Sequence, residues 1–282
     1  MKLGYVGLGN MGAPMAARLV DWPGGLTVYD VRPEAMTPLV EAGARAATSL
    51  AEVASADVIG IAVLNDRQVR EVVAELSAHM RTGTVIAIHS TISDRTAAEL
   101  ADEPDPKHIH IVDAPISGGA AAAKKGDLAV MVGATPEAYE LVKEPFKRFA
   151  GLVVHAGDPG AGTRMKLARN MLTFTSYAAA CEAERLAHEC GLDIVALGKV
   201  VRHTDAITGG AGAIMVRDSV GPLKPDSFFY QPFSHTRDLG EKDLELALAL
   251  GEANSVELPL AEVALKRLAA GLGVPHSADE TL

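Results

Sequence analysis

The sequence predicts a mainly parallel α/β domain followed by an all-helical domain. From Lys2 to about His155, short β-branched runs alternate with amphipathic segments, which is the pattern of right-handed βαβ units. Strand-like runs stop after residues 158–162, and only helical patterns follow. Hydrophobic residues make up 48% of the 282 residues and aromatic residues only 4%, so the core must consist mainly of Ala, Leu, Val and Ile.

The predicted strands of the first domain are short apolar runs, and amphipathic stretches long enough for helices separate most of them. Such an alternation predicts a sheet that is covered by helices on both faces. The predicted strands lie at 3–6, 26–29, 58–63, 84–88, 108–112, 128–132 and 152–155. The predicted helices of this domain lie at 11–20, 67–76, 94–101 and 136–149.

A long helix from Thr163 to Cys190 is predicted to open the second domain, and Gly191 is placed to end it. Because residues 171–181 are apolar on all sides of the helix, we expect the helix to be buried. It would lie either between the two halves of the chain or in a subunit interface. The predicted domains are 1–162 and 163–282, with further helices at 194–202, 240–253 and 259–270 and a loop at 208–232.

The charge balance excludes several classes of function. The chain carries 26 Lys and Arg against 36 Asp and Glu, a net charge of −10, which argues against binding to nucleic acid or to an anionic membrane. No apolar run reaches the roughly 20 residues of a spanning helix, and no basic leader precedes the first strand, so we expect a cytoplasmic protein. No metal is expected, because no His, Cys or carboxylate cluster has metal-ligand spacing.

A glycine-rich turn follows the first predicted strand. Gly7, Gly9 and Gly12 form GxGxxG between that strand and the first helix. In this context the first glycine permits a tight turn, the second lets a pyrophosphate approach the backbone, and the third permits close helix packing. The amides at the helix N-terminus can then bind phosphate. The sequence therefore predicts a Rossmann-type dinucleotide-binding domain.

Asp30 ends the second predicted strand, where an acidic side chain accepts hydrogen bonds from the adenosine ribose and repels a 2′-phosphate. NAD is therefore favoured over NADP. Arg32 could instead pair with that phosphate, which leaves NADP possible, and Asp30 could also cap a helix ahead of Pro33. The candidate cofactor contacts of these two segments are Gly7, Leu8, Gly9, Asn10, Met11, Gly12, Asp30, Val31 and Arg32.

Four separated motifs occur in order along the chain. They are GLGNMGAPMA at 7–16, DAPISGG at 113–119 with GDL at 126–128, GAGTRMKLARN at 160–170 and KDLELAL at 242–248. Through these motifs nearly the whole chain resembles the β-hydroxyacid dehydrogenase family, which includes 3-hydroxyisobutyrate dehydrogenase and tartronate semialdehyde reductase. The order and spacing of all four motifs make the resemblance specific.

The resemblance implies that Lys166 is the catalytic acid and base. Oxidation of an alcohol requires a group that removes the hydroxyl proton, and a lysine can do so if burial and positive charge destabilise its ammonium form. Asn170 lies one helical turn later on the same face, where it could orient the substrate hydroxyl or the lysine. Without the motif, a surface lysine beside a polar neighbour would be the simpler interpretation.

The resemblance also assigns the substrate carboxylate to Ser117, Gly118 and Gly119. Successive amides beside a hydroxyl suit an anion, although SGG by itself is more often a flexible turn. Lys242 matches a family lysine near the cofactor, whereas alone it would be interpreted as a solvated partner of a neighbouring glutamate. Leu64, Asn65 and Thr91 are carried over as nicotinamide and ribose contacts.

The chain departs from the family pattern at three positions. Arg169 stands where relatives commonly have a second asparagine, Asn65 where many have proline, and His89 where an acidic residue is usual. The first two border the predicted site, so they bear on substrate identity and on the geometry of the cofactor loop. We expect His89 to be structural.

These observations predict an NAD-dependent dehydrogenase for a small β-hydroxy acid such as 3-hydroxyisobutyrate, acting as a homodimer or homotetramer. One alternative is an NADPH-dependent semialdehyde or glyoxylate reductase of the same family. A second is an imine reductase, against which the presence of Lys166 argues. A third is a cofactor-binding protein without turnover, which Lys166 and Asn170 both disfavour.

Overall fold

The computed structural model of the protein describes residues 1–103 and 105–281. The chain divides into two compact units, residues 1–169 and 170–282, and the division falls inside a long helix. The sequence places the boundary near residue 162, ahead of that helix. A continuous helix offers no linker at which a boundary could be recognised from composition.

The N-terminal unit is built on a nine-stranded sheet with the order β3-β2-β1-β4-β5-β6-β8-β7, in which β9 also pairs with β8. Pairing from β3 through β6 is parallel, and β8 runs antiparallel to both β6 and β7. The strands are β1 (Leu3–Val6), β2 (Leu26–Tyr29), β3 (Arg45–Ala46), β4 (Val58–Ile61), β5 (Val85–Ile88), β6 (His110–Asp113), β7 (Ile116–Ser117), β8 (Leu128–Gly133) and β9 (Ala150–Gly157).

Helices cover both faces of this sheet. Successive residues of a strand enter two different apolar clusters: Val85 and Ala87 of β5 lie in one, and Ile86 and Ile88 lie in the other. All four residues of β5 are buried, as parallel strands covered on both faces require. The helices of this unit are α1 (Gly12–Ala17), α2 (Thr37–Glu41), α3 (Leu50–Val53), α4 (Asp66–His79), α5 (Asp94–Asp102), α6 (Gly119–Lys125) and α7 (Pro136–Phe146).

The strand order determines where a site can form. After β1 the chain builds β2 and β3 on one side and then returns to add β4 on the other side of β1. The carboxyl ends of β1, β4, β5 and β6 therefore meet at one edge of the sheet, and a crevice opens where the order reverses. The segments that follow these strand ends carry most of the predicted site residues of this unit.

The C-terminal unit is helical in the residues that the structure describes. α8 (Ala161–Glu189) runs from the first unit into the second, and α9 (Ile194–Thr208), α10 (Tyr230–Ala253) and α11 (Pro259–Leu272) follow. α10 packs along α11 around a small core of Phe233, Leu272 and Val274. No helix in the described ranges is long and apolar enough to cross a membrane.

The predicted fold class is confirmed: a mainly parallel Rossmann sheet is followed by a helical domain. The short strands β3 and β7 and the helices α2, α3 and α6 were not predicted, because elements of two to seven residues show no clear periodicity. α10 begins at Tyr230 and not at the predicted Gly240, so the last three residues of the predicted loop at 208–232 belong to this helix.

The apolar middle of α8 is not buried in the single chain. Met171, Phe174 and Tyr177 on this helix are 69%, 62% and 62% exposed. The packing within one chain therefore leaves these large apolar side chains in contact with solvent.

Replacement of Gly12 by alanine is expected to destabilise the fold by about 1–3 kcal/mol, because the added methyl group would lie 1.9 Å from the carbonyl oxygen of Gly7. Gly9→Ala is the matched control, since a Cβ there meets no atom within 4 Å. Urea unfolding of both variants would test this, and equal free energies of unfolding for both would contradict it.

Candidate active site

The glycine loop leaves an open cradle at its centre. Gly7 has φ +86°, and a Cβ there would lie 2.4 Å from the carbonyl oxygen of Ala62. Any side chain at Gly7 or Gly12 would therefore clash with a backbone carbonyl of the protein itself. Gly9 is exposed and faces open space instead, directly before the amides that open α1. This arrangement fits a dinucleotide, whose pyrophosphate needs close access to the backbone and amide donors.

Asp30 follows β2 and is 8% exposed. Its carboxylate accepts hydrogen bonds from the amides of Leu8 (2.7 Å) and Arg32 (2.9 Å) and from Nε of Arg32 (3.3 Å). Burial alone would raise the pKa of Asp30, but these hydrogen bonds and the guanidinium charge together lower it. Asp30 is thus an ionised group that ties the glycine loop to the end of β2.

The suggested capping role of Asp30 is wrong. The short 3-10 helix at Pro33–Ala35 begins after Arg32 and has no side-chain cap. Val31, between the two polar residues, is 83% exposed at the edge of the sheet. Asp30 is therefore engaged by backbone amides of the loop and not by the helix that follows.

The loop after β4 places Leu64 and Asn65 before α4. Asn65 is the N-cap of α4, and its side-chain oxygen accepts a hydrogen bond from the amide of Gln68 at 3.0 Å. The side chain of Gln68 accepts in return from the amide of Leu64 at 2.9 Å. This reciprocal cap gives Asn65 a structural role at the position where the family resemblance implies proline. Leu64 is left 86% exposed.

The loop after β5 is joined to the loop after β4. The hydroxyl of Ser90 donates to the carbonyl of Val63 (2.7 Å) and accepts from the amide of the same residue (2.9 Å). Thr91, the next residue, is exposed. The structure therefore brings Leu64, Asn65 and Thr91 to neighbouring loops at the same edge of the sheet.

The SGG segment lies between a short strand and a helix. Ser117 pairs with β8, Gly118 is the N-cap of α6 with φ +129°, and Gly119 has φ +72°. Both glycines are exposed, and their positive φ angles favour glycine over any side chain. The segment is thus an ordered turn with accessible amides.

Lys166 reaches the same segment from the first turns of α8. The residue is 8% exposed, and its Nζ donates to the carbonyl oxygen of Ile116 at 2.6 Å, one residue before Ser117. Burial lowers the pKa of Lys166, and the positive charge of Arg169 lowers it further. The arginine that departs from the family pattern therefore acts on the candidate catalytic amine.

Asn170 and Lys242 belong to the C-terminal unit. Asn170 follows Lys166 by one turn of α8. Lys242 lies in α10, where its side chain is 61% exposed and pairs with Asp243 at 3.1 Å, rather than with either neighbouring glutamate.

His89 lies in the core of the N-terminal unit. Its Nδ1 is 2.9 Å from the carbonyl oxygen of Ala114, and its ring packs against Tyr5, Phe146 and Phe149. Burial lowers the pKa of His89 to about 4, so the ring is neutral near pH 7. Its environment is that of a structural residue. In the described ranges no group of three His, Cys, Asp or Glu could hold a metal ion.

One buried residue was not singled out from the sequence. Asp113, at the end of β6, is fully buried and accepts hydrogen bonds from the amides of Gly160 (2.7 Å) and Thr163 (2.6 Å) at the start of α8. The available signal was its place as the first residue of the motif at 113–119. Its partners lie 47 and 50 residues away in the sequence, so spacing could not reveal them.

Two family models together match nearly the whole chain. Residues 2–157 match the NAD binding domain of 6-phosphogluconate dehydrogenase, and residues 160–281 match the NAD-binding domain of NADP-dependent 3-hydroxyisobutyrate dehydrogenase. The first match alone covers more than half of the chain. Both agree with the cradle at Gly9 and with the succession of an α/β and a helical unit.

Individual proteins support the same family. The 3-hydroxyisobutyrate dehydrogenase of Pseudomonas aeruginosa is 33% identical over 93% of this chain and 89% of its own length. A crystal structure of an oxidoreductase from Mycobacterium avium 104 is 71% identical, with a TM-score of 0.95 over 97% of this chain and 99% of that chain.

More distant structures share the architecture. The 3-hydroxyisobutyrate dehydrogenase of Mycobacterium tuberculosis, solved with L-serine, is 29% identical, with a TM-score of 0.68 over 99% of this chain and 98% of that chain. An imine reductase from Pseudomonas sp. is 24% identical with a TM-score of 0.69 over 96% of this chain and 95% of that chain, which shows a common fold alone. The resemblance seen in the four motifs is confirmed, and the chain belongs to the β-hydroxyacid dehydrogenase family of NAD(P)-dependent oxidoreductases.

Proposed function

We propose that this protein transfers a hydride between NAD and a small β-hydroxy acid of the 3-hydroxyisobutyrate type, or in reverse from NADH to its semialdehyde. The observation that carries the proposal is the position of Lys166, a buried amine held against the carbonyl of Ile116 beside Ser117 and the exposed Gly118 and Gly119. A relative that acts on 3-hydroxyisobutyrate by its name supports this substrate class.

In this proposal the nicotinamide supplies the hydride acceptor or donor, and the protein supplies proton transfer and positioning. The hydroxyl of Ser117 and the amides of Gly118 and Gly119 hold the substrate carboxylate. Lys166 in its neutral form takes the hydroxyl proton during oxidation and returns it during reduction. Burial and Arg169 both lower the pKa of Lys166, which increases the fraction of the amine that can accept a proton near neutral pH.

The remaining predicted residues orient the reacting groups. Asn170, one turn after Lys166, is proposed to hold the substrate hydroxyl, and Lys242 to contribute positive charge to the cofactor side of the site. Leu64, Asn65 and Thr91 are proposed to contact nicotinamide and ribose, and the exposed Leu64 offers an apolar surface for the ring.

NAD is the proposed cofactor because of Asp30. Its carboxylate is ionised and fixed by two backbone amides at the end of β2, where it would accept from the ribose hydroxyls and repel a 2′-phosphate. The side chain of Arg32 is 59% exposed but is paired with this carboxylate. Release of that pair would favour NADP, which makes an NADPH-dependent reductase the principal alternative. An imine reductase is disfavoured by Lys166.

The proposed assembly is a dimer of this chain. α9 has no buried residue among its 15, although Val195, Val200 and Ile207 are 60%, 61% and 73% exposed apolar side chains. An isolated helix of this length is marginal in water, and these apolar side chains gain nothing from the core of their own chain. A second copy of the chain would cover this surface, since most soluble homo-oligomers close through a two-fold interface.

Lys166→Ala is expected to lower turnover of 3-hydroxyisobutyrate by about 100-fold or more, because general acid-base catalysis contributes at least this factor. Binding of NADH, followed by its fluorescence, should not change. Lys147→Ala, at an exposed lysine paired with Glu144, is the control and should be fully active. Near-normal turnover by the Lys166 variant would refute the proposed role.

Asp30→Asn is expected to shift cofactor preference toward NADP by about tenfold, because it removes a charge that hydrogen-bonds ribose and repels phosphate while keeping an acceptor oxygen. Steady-state kcat/KM with NADH and NADPH measures the shift. Asp21→Asn, at a carboxylate that is 75% exposed, is the control. An unchanged ratio in the Asp30 variant would show that another residue selects the cofactor.

Light scattering is expected to give about twice the chain mass of 29.4 kDa. Val200→Glu should shift the protein toward the monomer, because a charge would replace an apolar side chain at the interface. Leu152→Glu, at a 56% exposed position of β9, should leave the mass unchanged. A wild-type protein that remains monomeric at micromolar concentration would contradict the dimer.

A further inference from the structure

The start of α8 is attached to the sheet through Asp113. This carboxylate is fully buried at the end of β6, and its two oxygens accept separately from the amides of Gly160 and Thr163. Amides at a helix start have no partner within the helix, so a buried helix start requires an acceptor of this kind. The contact joins residues 47 and 50 positions apart in the sequence.

Glycines bring the helix and the sheet unusually close at this point. A Cβ on Gly162 would lie 2.2 Å from the carbonyl oxygen of Met131 and 2.9 Å from that of Asp113. A Cβ on Gly133 would lie 2.0 Å from Oδ1 of Asp113. At Gly133 and Gly162 no side chain fits between α8 and the sheet, so backbone contact and the carboxylate of Asp113 set the depth at which the helix meets the sheet.

Lys166 follows this attachment closely. It lies three residues after Thr163 on the same helix, a rise of about 4.5 Å. Its amine donates to the carbonyl of Ile116. Ile116 begins β7, three residues after Asp113 at the end of β6. The segment 113–116 therefore touches α8 at two points, through the carboxylate at one end and through a carbonyl at the other.

Capping a helix with a buried carboxylate carries a desolvation penalty, because the charged group is removed from water. Burial raises the pKa of Asp113, and the hydrogen bonds from the amides of Gly160 and Thr163 oppose that effect. An uncharged cap would avoid the desolvation cost of the carboxylate. Hydrogen bonds to a charged acceptor are shorter and stronger than neutral ones, so the carboxylate gives a stiffer attachment.

We propose that Asp113 is a positioning residue for the reaction: by fixing the depth of α8 against the sheet, it holds the amine of Lys166 in its buried place at the Ile116 carbonyl. This inference rests on the proposed role of Lys166. The charged group on α8 that acts on the amine is Arg169, and Asp113 on β6 directs its own charge at the helix amides. Asp113 acts on the lysine through its position.

Asp113→Asn tests the inference, because it preserves the shape of the side chain and removes one of the two strong acceptors. We expect kcat to fall by about tenfold or more, since small displacements of a catalytic group are costly. The release of Lys166 into solvent should also move the rise of kcat with pH to higher pH. The affinity for NADH, measured by fluorescence, should stay unchanged.

Glu182→Gln is the matched control. Glu182 is also a buried carboxylate that accepts from two amides at a helix start, those of Leu260 and Ala261. The helix it caps, α11, carries none of the proposed site residues. We expect this variant to lower the melting temperature without moving the pH profile, as a purely structural cap would.

Thr163→Pro keeps the carboxylate and removes one of its two donors. Thr163 is the third residue of α8, where the N–H has no partner inside the helix, so no helical hydrogen bond is lost. This variant should move the pH profile in the same direction as Asp113→Asn, and it decides the question if the asparagine variant does not fold. A pH profile in the folded variant that superimposes on that of the wild type would overturn the inference. If Lys166→Ala is inactive in the same assay, that result leaves the proposed function standing, whereas an active Lys166→Ala would refute the proposed function itself.

Discussion

Burial of the parallel sheet on both faces is the constraint on which the rest of this structure depends. Every residue of β1, β4 and β5 is buried, so these strands cannot carry polar side chains that could reach a ligand. Polar chemistry is confined to the positions where the strands end. Parallel pairing brings those ends to one edge, and the reversal of strand order at β1 opens a crevice there.

NAD(P), the cofactor of the family, is an anion, although the net charge of this chain is −10. Local groups must therefore outweigh the overall repulsion. The glycine loop exposes backbone at Gly9, the turn at Gly118 and Gly119 exposes more, and Arg169 carries a positive charge on α8 close to Lys166. Backbone amides and a few cations act at contact distance, where they are stronger than the screened field of the whole protein.

Much of the N-terminal unit could be predicted because its information is local. The apolar strands, the GxGxxG turn and the acidic residue after β2 all follow from periodicity and from turn chemistry within a few residues. The sequence does not predict β7, because two residues show no periodicity, or α6, because its run of alanines has no apolar and polar face. The apolar middle of α8 was recognised, but a single sequence cannot say whether the same chain or another copy covers it.

The sequence by itself determined the order of the elements, the turn that fits a dinucleotide, and the spacing of Lys166 and Asn170 along one helix, because each depends on neighbours in the chain. Only the tertiary structure decided that Asp30 is held by the amide of Leu8, that the amine of Lys166 lies at the carbonyl of Ile116, and that Asp113 anchors α8. These contacts join residues 22 to 50 positions apart, and the hydrogen-bonding atoms of a buried helix start or strand end can find such partners only once the chain has folded.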